Sequence, residues 1–228
     1  MAIDKIVPTL EAAVAGVTDG MTIMISGFGF AGVPNDLIHA VLDLGATDLT
    51  VISNNAGTGT EGLAALMGSG RVKRIICSYP RSRGSDNFDA RYAAGQIELE
   101  LVPQGTLSER MRAAAAGIGA FYCPTGVGTD LAAGKEVRTI DGRDYVLEMP
   151  LRADVALVQA EKADRWGNLT YSKAARNFGP VMAMAADLTV VQAREIVPLG
   201  ALDPEVIVTP SVFVDRVIHI DNDREWDI

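Results

Sequence analysis

Five residues have types and positions that could bind an anionic ligand: the amides Asn54 and Gln104, and the glycines Gly27, Gly29 and Gly32. Each amide ends a predicted strand beside a glycine or a turn, and a neutral amide can donate hydrogen bonds to a carboxylate. The glycines lie between an apolar strand and a helix, where a ligand can approach bare backbone N–H groups. The pattern indicates carboxylate binding, although the amides could equally satisfy their own loops and the glycines could serve only a tight turn.

The three glycines also spell G-x-G-x-x-G, a pattern that binds dinucleotides. In that pattern the last glycine lies inside the helix, whereas here Pro34 fits the first helical position and places the helix start after the last glycine. The acidic residue that contacts the ribose should end the second strand, but Asp48 precedes that strand. A dinucleotide site is therefore not predicted.

The sequence shows no motif for self-contained covalent or acid–base catalysis. It has two histidines, no G-x-S-x-G elbow and no cysteine with a base close by in sequence. Glu61 opens a predicted helix, where a carboxylate stabilises the helix dipole. Cys77 and Cys123 lack the spacing of metal ligands and are expected to be buried, reduced thiols. We therefore expect no catalytic residue and no metal site in this chain, which argues against a self-contained hydrolase or dehydrogenase.

The elements that position these residues alternate between strand and helix. Short apolar runs predict strands at 21–25, 49–53, 72–77 and 97–102, with helical periodicity between them. Such alternation predicts a parallel sheet with right-handed crossovers, in which ligands bind outside the carboxyl ends of the strands. The loops at 27–33 and 54–60 and the residue Gln104 should therefore lie at one edge of the sheet.

Further elements follow the fourth predicted strand. Thr106 and Glu109 have the spacing of a capping box that would open a helix, and residues 117–129 have no clear period and are expected to form a loop. Alternation around Asp141-Gly142 predicts a β-hairpin over 137–149. The expected fold is therefore α/β, with an open, mostly parallel sheet flanked by helices and an added β-hairpin region, as one domain over residues 1–228.

Bulk properties exclude several classes of protein. The chain has 228 residues, of which 48% are hydrophobic, and a formal net charge of −9. A nucleic-acid binder would need a basic face, so no nucleic-acid partner is expected. No apolar run reaches the ~20 residues of a membrane helix, and the first residues lack the apolar core of a secretion signal. We expect a cytoplasmic protein that does not contact a membrane.

The stretch from Asp19 to Pro34 resembles the signature of the A (alpha) subunit of family I coenzyme A transferases. That signature is Asp-Gly, two free positions, three apolar residues, Gly-Gly-Phe, three free positions and Gly-x-Pro. Ser26 departs from it, because glycine is usual at that position. The matching residues are Asp19, Gly20, Ile23, Met24, Ile25, Gly27, Phe28, Gly32 and Pro34.

Four further segments resemble the 3-oxoacid branch of that family, so the resemblance covers essentially the whole chain. They are residues 53–57 (Ser-Asn-Asn-Ala-Gly), 103–110 (Pro-Gln-Gly-Thr-Leu-Ser-Glu-Arg), 162–165 (Lys-Ala-Asp-Arg) with 167–168 (Gly-Asn), and 175–178 (Ala-Arg-Asn-Phe). Together they are far more specific than one glycine loop.

The resemblance implies a CoA-transferase-like fold and a transfer of CoA from succinyl-CoA to acetoacetate or 3-oxoadipate. It implies that the nucleophilic glutamate, which forms a glutamyl-CoA thioester, belongs to a B (beta) subunit, with two subunits of each kind in the assembly. Coenzyme A is then a thioester substrate, and no cofactor is expected. Asn54 and Gln104 would bind substrate at the interface of the subunits, and Gly27, Gly29 and Gly32 would form a pocket loop.

Two alternatives stay open from the sequence. One is a subunit of a short-chain acetate or butyrate CoA-transferase. The other is a non-catalytic ligand-binding protein on the same fold, akin to sugar-phosphate sensors. A neighbouring reading frame that encodes a Glu-Asn-Gly segment would favour an enzyme, whereas a sensor would need a helix-turn-helix for which this chain has no room.

Overall fold

The computed structural model describes residues 3–221, and it confirms the predicted α/β architecture. Within those residues, a main sheet of eight strands has the order β11-β10-β8-β1-β2-β3-β4, with the short β9 paired to β8. A separate three-stranded sheet has the order β5-β7-β6. The strands are β1 Thr22–Ile25, β2 Leu49–Ile52, β3 Val72–Cys77, β4 Glu98–Leu101, β5 Phe121–Cys123, β6 Val137–Ile140, β7 Arg143–Glu148, β8 Ala153–Asp164, β9 Leu169–Thr170, β10 Ala186–Val197 and β11 Arg216–His219.

Helices cover both faces of the main sheet, which explains why its central strands are apolar on both sides. The helices are α1 Leu10–Val14, α2 Asn35–Leu44, α3 Gly62–Gly68, α4 Asp86–Ala93, α5 Gln104–Ala115 and α6 Gly179–Met184. One core packs α1 to α4 against one face, around side chains such as Leu37 and Phe88. A second core packs α5 and α6 against the other face, around Leu107 and Met182. The pairs β1–β2, β2–β3 and β3–β4 are all parallel, as the alternation predicts.

The small sheet contains the predicted hairpin and one strand that the sequence does not reveal. Strands β6 and β7 pair antiparallel around Asp141 and Gly142, whose φ angles of 50° and 76° match a two-residue type I′ turn. The prediction of a loop over 117–129 is wrong for Phe121–Cys123, which forms β5 and pairs with β7. Three residues are too few to show a strand period, so only the pairing with β7 reveals this element.

The starts of two helices differ from the sequence prediction. The prediction that Thr106 and Glu109 form a capping box is wrong. Helix α5 already begins at Gln104, directly after Pro103, and Thr106 is a buried residue inside this helix. Gln104 thus belongs to the first turn of a helix and not to a flexible loop. The helix after the glycine loop begins at Asn35, so Pro34 is its cap residue and not its first helical residue.

Across residues 3–221, no helix combines the length and the apolar character that a membrane crossing requires.

Candidate functional site

A cavity of about 650 Å³ opens at the carboxyl edge of the parallel strands. Gly29 from the loop after β1, Asn54 after β2 and Gln104 at the start of α5 all line it. The predicted convergence of these three segments is therefore confirmed. The edge also receives residues after β3, among them Ser78 and Tyr79, which the sequence analysis did not single out.

Asn54 and Gln104, predicted independently as ligand-binding amides, contact each other directly. Gln104 Nε2 donates to Asn54 Oδ1 at 2.6 Å. The backbone carbonyl of Asn54 also accepts from the N–H groups of Ser78 and Tyr79, at 3.2 and 3.0 Å, so Asn54 is held on both its side-chain and backbone oxygens. Asn54 is buried, whereas Gln104 is exposed at the cavity.

This amide pair retains donors for a ligand. Each side-chain amide has two N–H donors and one acceptor oxygen. Within residues 3–221, the single contact between the pair uses one donor of Gln104 and leaves the Nδ2 group of Asn54 without a hydrogen bond. The remaining N–H groups can bind a carboxylate in the cavity without the fixed charge of an ion pair.

The three glycines of the loop all have positive φ, but only Gly29 lines the cavity. The tip of the loop is closed by Phe28 N–H donating to Ala31 O at 3.0 Å and Ala31 N–H donating to Phe28 O at 3.1 Å. An added Cβ at Gly29 meets no atom within 4 Å, whereas at Gly32 it would lie 2.5 Å from the carbonyl oxygen of Ala175. Gly32 therefore permits close backbone packing behind the cavity, and Gly29 is the position open to a ligand.

Ser26, the departure from the family signature, anchors the base of the glycine loop. Its buried hydroxyl donates to the carbonyl oxygen of Gly32 at 2.7 Å and accepts from the N–H of Gln159 on β8 at 3.2 Å. A glycine at this position could make neither bond. The serine therefore ties the first and last parts of the loop to the neighbouring strand.

Asn177 holds the same loop from the opposite side. Its Oδ1 accepts from the N–H of Gly27 at 3.1 Å, and its Nδ2 donates to the carbonyl of Ala31 at 2.9 Å. Asn177 belongs to the 175–178 segment that resembles the family, but its contact with a loop 150 residues away in sequence becomes visible only in the fold. Two side chains thus fix the path of a loop that contains three glycines.

An ion-pair network positions the helix that bears Gln104. Arg110 of α5 donates from Nη1 to Glu100 on β4 at 2.7 Å and from Nε to the carbonyl of Met149 at 2.9 Å. Burial disfavours the charged form of Glu100, but hydrogen bonds and charges from Arg110 and Arg74 outweigh it and hold its pKa below the ordinary value. The same face of α5 approaches Glu148, which is buried and paired with Lys135 at 2.7 Å.

In the described part of the chain, the cavity lining offers polar side chains but no carboxylate, imidazole or thiol. Among the described residues, none of those that line it is Asp, Glu, His or Cys. Burial raises the pKa of the nearby Cys77 thiol to about 12, which keeps it protonated at neutral pH. His39 and Glu61 contact each other at 3.1 Å, but neither lines the cavity. No group of His, Cys, Asp or Glu in residues 3–221 is arranged to hold a metal ion.

The outer part of the cavity is aromatic and exposed. Phe28, Phe30 and Tyr79 are 51%, 55% and 62% exposed, and all three line the cavity. We call these three residues the aromatic rim. Of the three, only Phe28 stands out in the sequence, as part of the signature, because a single aromatic residue in a loop gives no periodic signal.

A family model described as Coenzyme A transferase matches residues 7–219. The chain is 60% identical to the A subunit of the 3-oxoadipate CoA-transferase of Pseudomonas putida, over 96% of this chain and 94% of that protein. It is 49% identical to the A subunit of the succinyl-CoA:3-ketoacid coenzyme A transferase of Xanthomonas campestris, over 91% of this chain and 86% of that protein.

A solved structure gives an independent comparison of the fold. An acyl-CoA transferase from Escherichia coli O157:H7 superposes with a TM-score of 0.85 at 20% sequence identity. The match covers 100% of this chain and 49% of that one, so this chain spans about half of its length. At this identity the likeness supports the fold alone.

Proposed function

The chain belongs to the coenzyme A transferase family, and from this premise we propose that it is the A subunit of a two-subunit 3-oxoacid CoA-transferase. In this proposal it binds the acid substrate while a B subunit supplies the nucleophile. The observation that carries the proposal is the cavity itself, where Asn54 and Gln104 offer amide donors and the described lining contains no carboxylate, histidine or cysteine.

The reaction that we propose proceeds through a glutamyl-CoA thioester on the B subunit. A glutamate carboxylate attacks the acyl-CoA carbonyl, the C–S bond breaks, and CoA thiolate leaves an acyl–glutamyl anhydride. The thiolate then attacks the glutamyl carbonyl and releases the donor acid. The acceptor carboxylate attacks the resulting thioester, and the returning thiolate takes the acceptor acyl group and frees the glutamate. Covalent catalysis of this kind divides one difficult transfer into easier steps.

This chain orients the acid substrate in each of those steps. Asn54 and Gln104 donate to a carboxylate oxygen of the bound acid, which places the acid at the sheet edge where the partner's glutamate would reach it. The exposed aromatic rim offers apolar surface for the partner protein or for the acyl chain. Ser26 and Asn177 hold the loop whose residue Gly29 faces the cavity.

The relatives favour a 3-oxoacid over a short-chain acid as acceptor. The protein from Pseudomonas putida at 60% identity is named for 3-oxoadipate, and the protein from Xanthomonas campestris at 49% is named for 3-ketoacids and succinyl-CoA. We propose 3-oxoadipate as the acceptor and succinyl-CoA as the donor, with coenzyme A as a substrate and not a cofactor. An assembly of two A and two B subunits completes the proposal.

The proposal is tested by reconstitution with the B subunit. The purified chain alone should transfer no CoA, and the chain mixed with its B subunit should transfer CoA from succinyl-CoA to 3-oxoadipate. Initial rates with both substrates varied should give parallel double-reciprocal lines, because the donor acid leaves before the acceptor enters. Transfer by the chain alone, or no transfer to any 3-oxoacid by the complex, would contradict the proposal.

A further inference from the structure

Ser78 carries a polar atom that the fold leaves unsatisfied. Its Oγ atom is buried and has no hydrogen-bond partner within residues 3–221. Its backbone N–H donates to the carbonyl of Asn54 at 3.2 Å, which holds the residue beside the amide pair, and Ser78 lines the same cavity. Since buried polar groups almost always find a partner, an unsatisfied hydroxyl on a residue that lines the cavity indicates a partner from outside the described fold, which the hydroxyl reaches when its side chain turns toward the cavity.

Arg83 brings a positive charge to the same cavity. Its side chain is exposed, lines the cavity, and in the described part of the chain makes neither an ion pair nor a hydrogen bond. Arg81 lies two residues away and behaves differently, because it pairs with Asp89 at 2.7 Å, lies over the ring of Tyr92 and does not line the cavity. Among the described residues, the lining therefore has one available cation and no carboxylate.

The loop that carries Arg83 is held in place on both sides. The N–H of Ser82 donates to Ser85 Oγ at 3.0 Å, and that hydroxyl donates to the carbonyl of Gly57 at 3.0 Å. The Ser82 hydroxyl lies 2.8 Å from the hydroxyl of Thr58. These contacts fix the backbone on either side of Arg83 to the loop that follows Asn54, so the arginine belongs to the same site as the amide pair.

We propose that Ser78 and Arg83 form a subsite for the second carboxylate of a dicarboxylic acid, and that this subsite makes the enzyme prefer 3-oxoadipate to acetoacetate. The inference rests on the proposed function and names the substrate class of the same cavity. One end of the acid lies at the amide pair of Asn54 and Gln104, and the other end meets the guanidinium of Arg83 and the hydroxyl of Ser78.

The chemistry of the two acceptors differs where this subsite acts. A six-carbon 3-oxodicarboxylate has a second carboxylate, which can accept charge-assisted hydrogen bonds from a guanidinium and a hydroxyl. Acetoacetate ends in a methyl group at the corresponding side and offers no acceptor there. The binding energy that Arg83 and Ser78 contribute therefore applies to one acceptor only. A contact that determines specificity must favour one substrate over the other in this way.

The test measures kcat/KM of the assembled A–B enzyme for 3-oxoadipate and for acetoacetate, with succinyl-CoA as the donor in both cases. In a ping-pong reaction, kcat/KM for the acceptor reports only the half-reaction of the CoA-bound enzyme with that acceptor. A change in the half-reaction with succinyl-CoA therefore does not alter this constant. Arg83→Ala should lower kcat/KM for 3-oxoadipate by roughly tenfold to a hundredfold. The value for acetoacetate should change less than about twofold, because no contact with that acid is lost.

Three further variants make the test specific. Arg83→Lys should recover part of the loss, since a lysine keeps the charge but not the bidentate geometry. Ser78→Ala should lower kcat/KM for 3-oxoadipate without lowering the unfolding temperature, because the hydroxyl has no partner in the described fold to lose. Arg81→Ala removes an equal charge outside the cavity and should leave the ratio of the two acceptors unchanged.

The outcomes separate the subsite from the proposed function. An equal loss for both acceptors in Arg83→Ala, or no loss for either, would overturn the subsite while the transferase function stands. An unfolding temperature that falls in Ser78→Ala would show that the hydroxyl is structural. If the wild-type complex transfers CoA to neither acid, the proposed function itself fails.

Discussion

The base and the tip of the glycine loop differ in how they are held. At the base, Ser26 and Asn177 bind the backbone of the loop through side-chain hydrogen bonds, and Gly32 packs against the chain at Ala175. At the tip, Phe28 and Phe30 are about half exposed. The base therefore has a fixed geometry within this chain, whereas the tip has apolar surface that the described residues do not cover.

The same difference separates the two parts of the cavity. Asn54 is buried and fixed by hydrogen bonds, while Tyr79 of the aromatic rim is 62% exposed. A site that orients a substrate needs rigid donors, and a site completed by a partner needs exposed apolar surface. This contrast supports the proposal that this chain orients the substrate and that a B subunit covers the rim.

The largest expected effect comes from filling the space behind the loop. In Gly32→Val the positive φ of 76° costs about 1–3 kcal/mol, and the collision with the Ala175 carbonyl costs about 1–3 kcal/mol more. We expect loss of transfer activity and a lower free energy of unfolding, measured in urea. Gly29→Val is the matched control, because it has positive φ but nothing within 4 Å.

Gly29→Val should reduce transfer or the association of the two subunits, because Gly29 lines the cavity, while the hairpin at Asp141 and Gly142 stays folded. Equal losses of stability in the two glycine variants would show that the tight packing around Gly32 adds nothing to the cost of a side chain at positive φ.

The amide pair gives the next effect. Gln104→Ala removes a donor to the substrate carboxylate. The lost hydrogen bond should raise the activation free energy by about 1.5–3 kcal/mol, which lowers kcat/KM for the acid roughly tenfold to a hundredfold. Because the variant also leaves the Oδ1 atom of buried Asn54 without its partner, the free energy of unfolding should fall by about 1 kcal/mol. Gln96→Ala, at an exposed glutamine that accepts from Arg91 at 2.9 Å outside the cavity, should leave the kinetics unchanged. Unchanged constants in Gln104→Ala for both substrates would remove this role.

Ser26 should have a smaller effect that acts on stability. Ser26→Ala leaves the carbonyl of Gly32 and the N–H of Gln159 without their present partner, and losing such bonds costs about 1–3 kcal/mol. Urea unfolding of the isolated chain measures this loss. Thr58→Ala removes a hydroxyl contact in an exposed loop and should cost less than half as much. A stability equal to the wild type in Ser26→Ala would show that the serine does not anchor the loop.

The aromatic rim should affect assembly and leave the fold intact. Phe28→Ser and Phe30→Ser should each weaken binding to the B subunit by about 1 kcal/mol, because buried aromatic residues at interfaces commonly contribute that much. Analytical ultracentrifugation of the mixed subunits measures the change. Val212→Ser replaces a side chain that is 76% exposed away from the cavity and serves as the control. If Val212→Ser weakens binding to the B subunit equally, the aromatic rim has no special role in assembly.

The sequence predicts the parts of the site that depend on local order. A glycine loop between a strand and a helix, and amides at strand ends, are visible from residue types, and parallel pairing then places Asn54 and Gln104 at one edge. The contacts that anchor them are not visible, because Ser26 meets Gln159 and Gly27 meets Asn177 across more than 130 residues. No local period encodes such a pairing.

The boundaries of elements depend on the same long-range contacts. Strand β5 exists because it pairs with β7, and α5 begins at Gln104, two residues before the predicted capping box. Ser78 and Arg83 look like ordinary loop residues in the sequence. Only the cavity shows that one has an unsatisfied hydroxyl and the other an available charge.

The central claim is that this chain orients the acid while the partner supplies the nucleophile. The most direct test incubates the A–B complex with succinyl-CoA, traps the enzyme–CoA thioester with borohydride or hydroxylamine, and locates the modified peptide by mass spectrometry. We expect the modification on a glutamate of the B subunit, with no modified peptide from this chain. A modified carboxylate in this chain, such as Glu61, would contradict the claim.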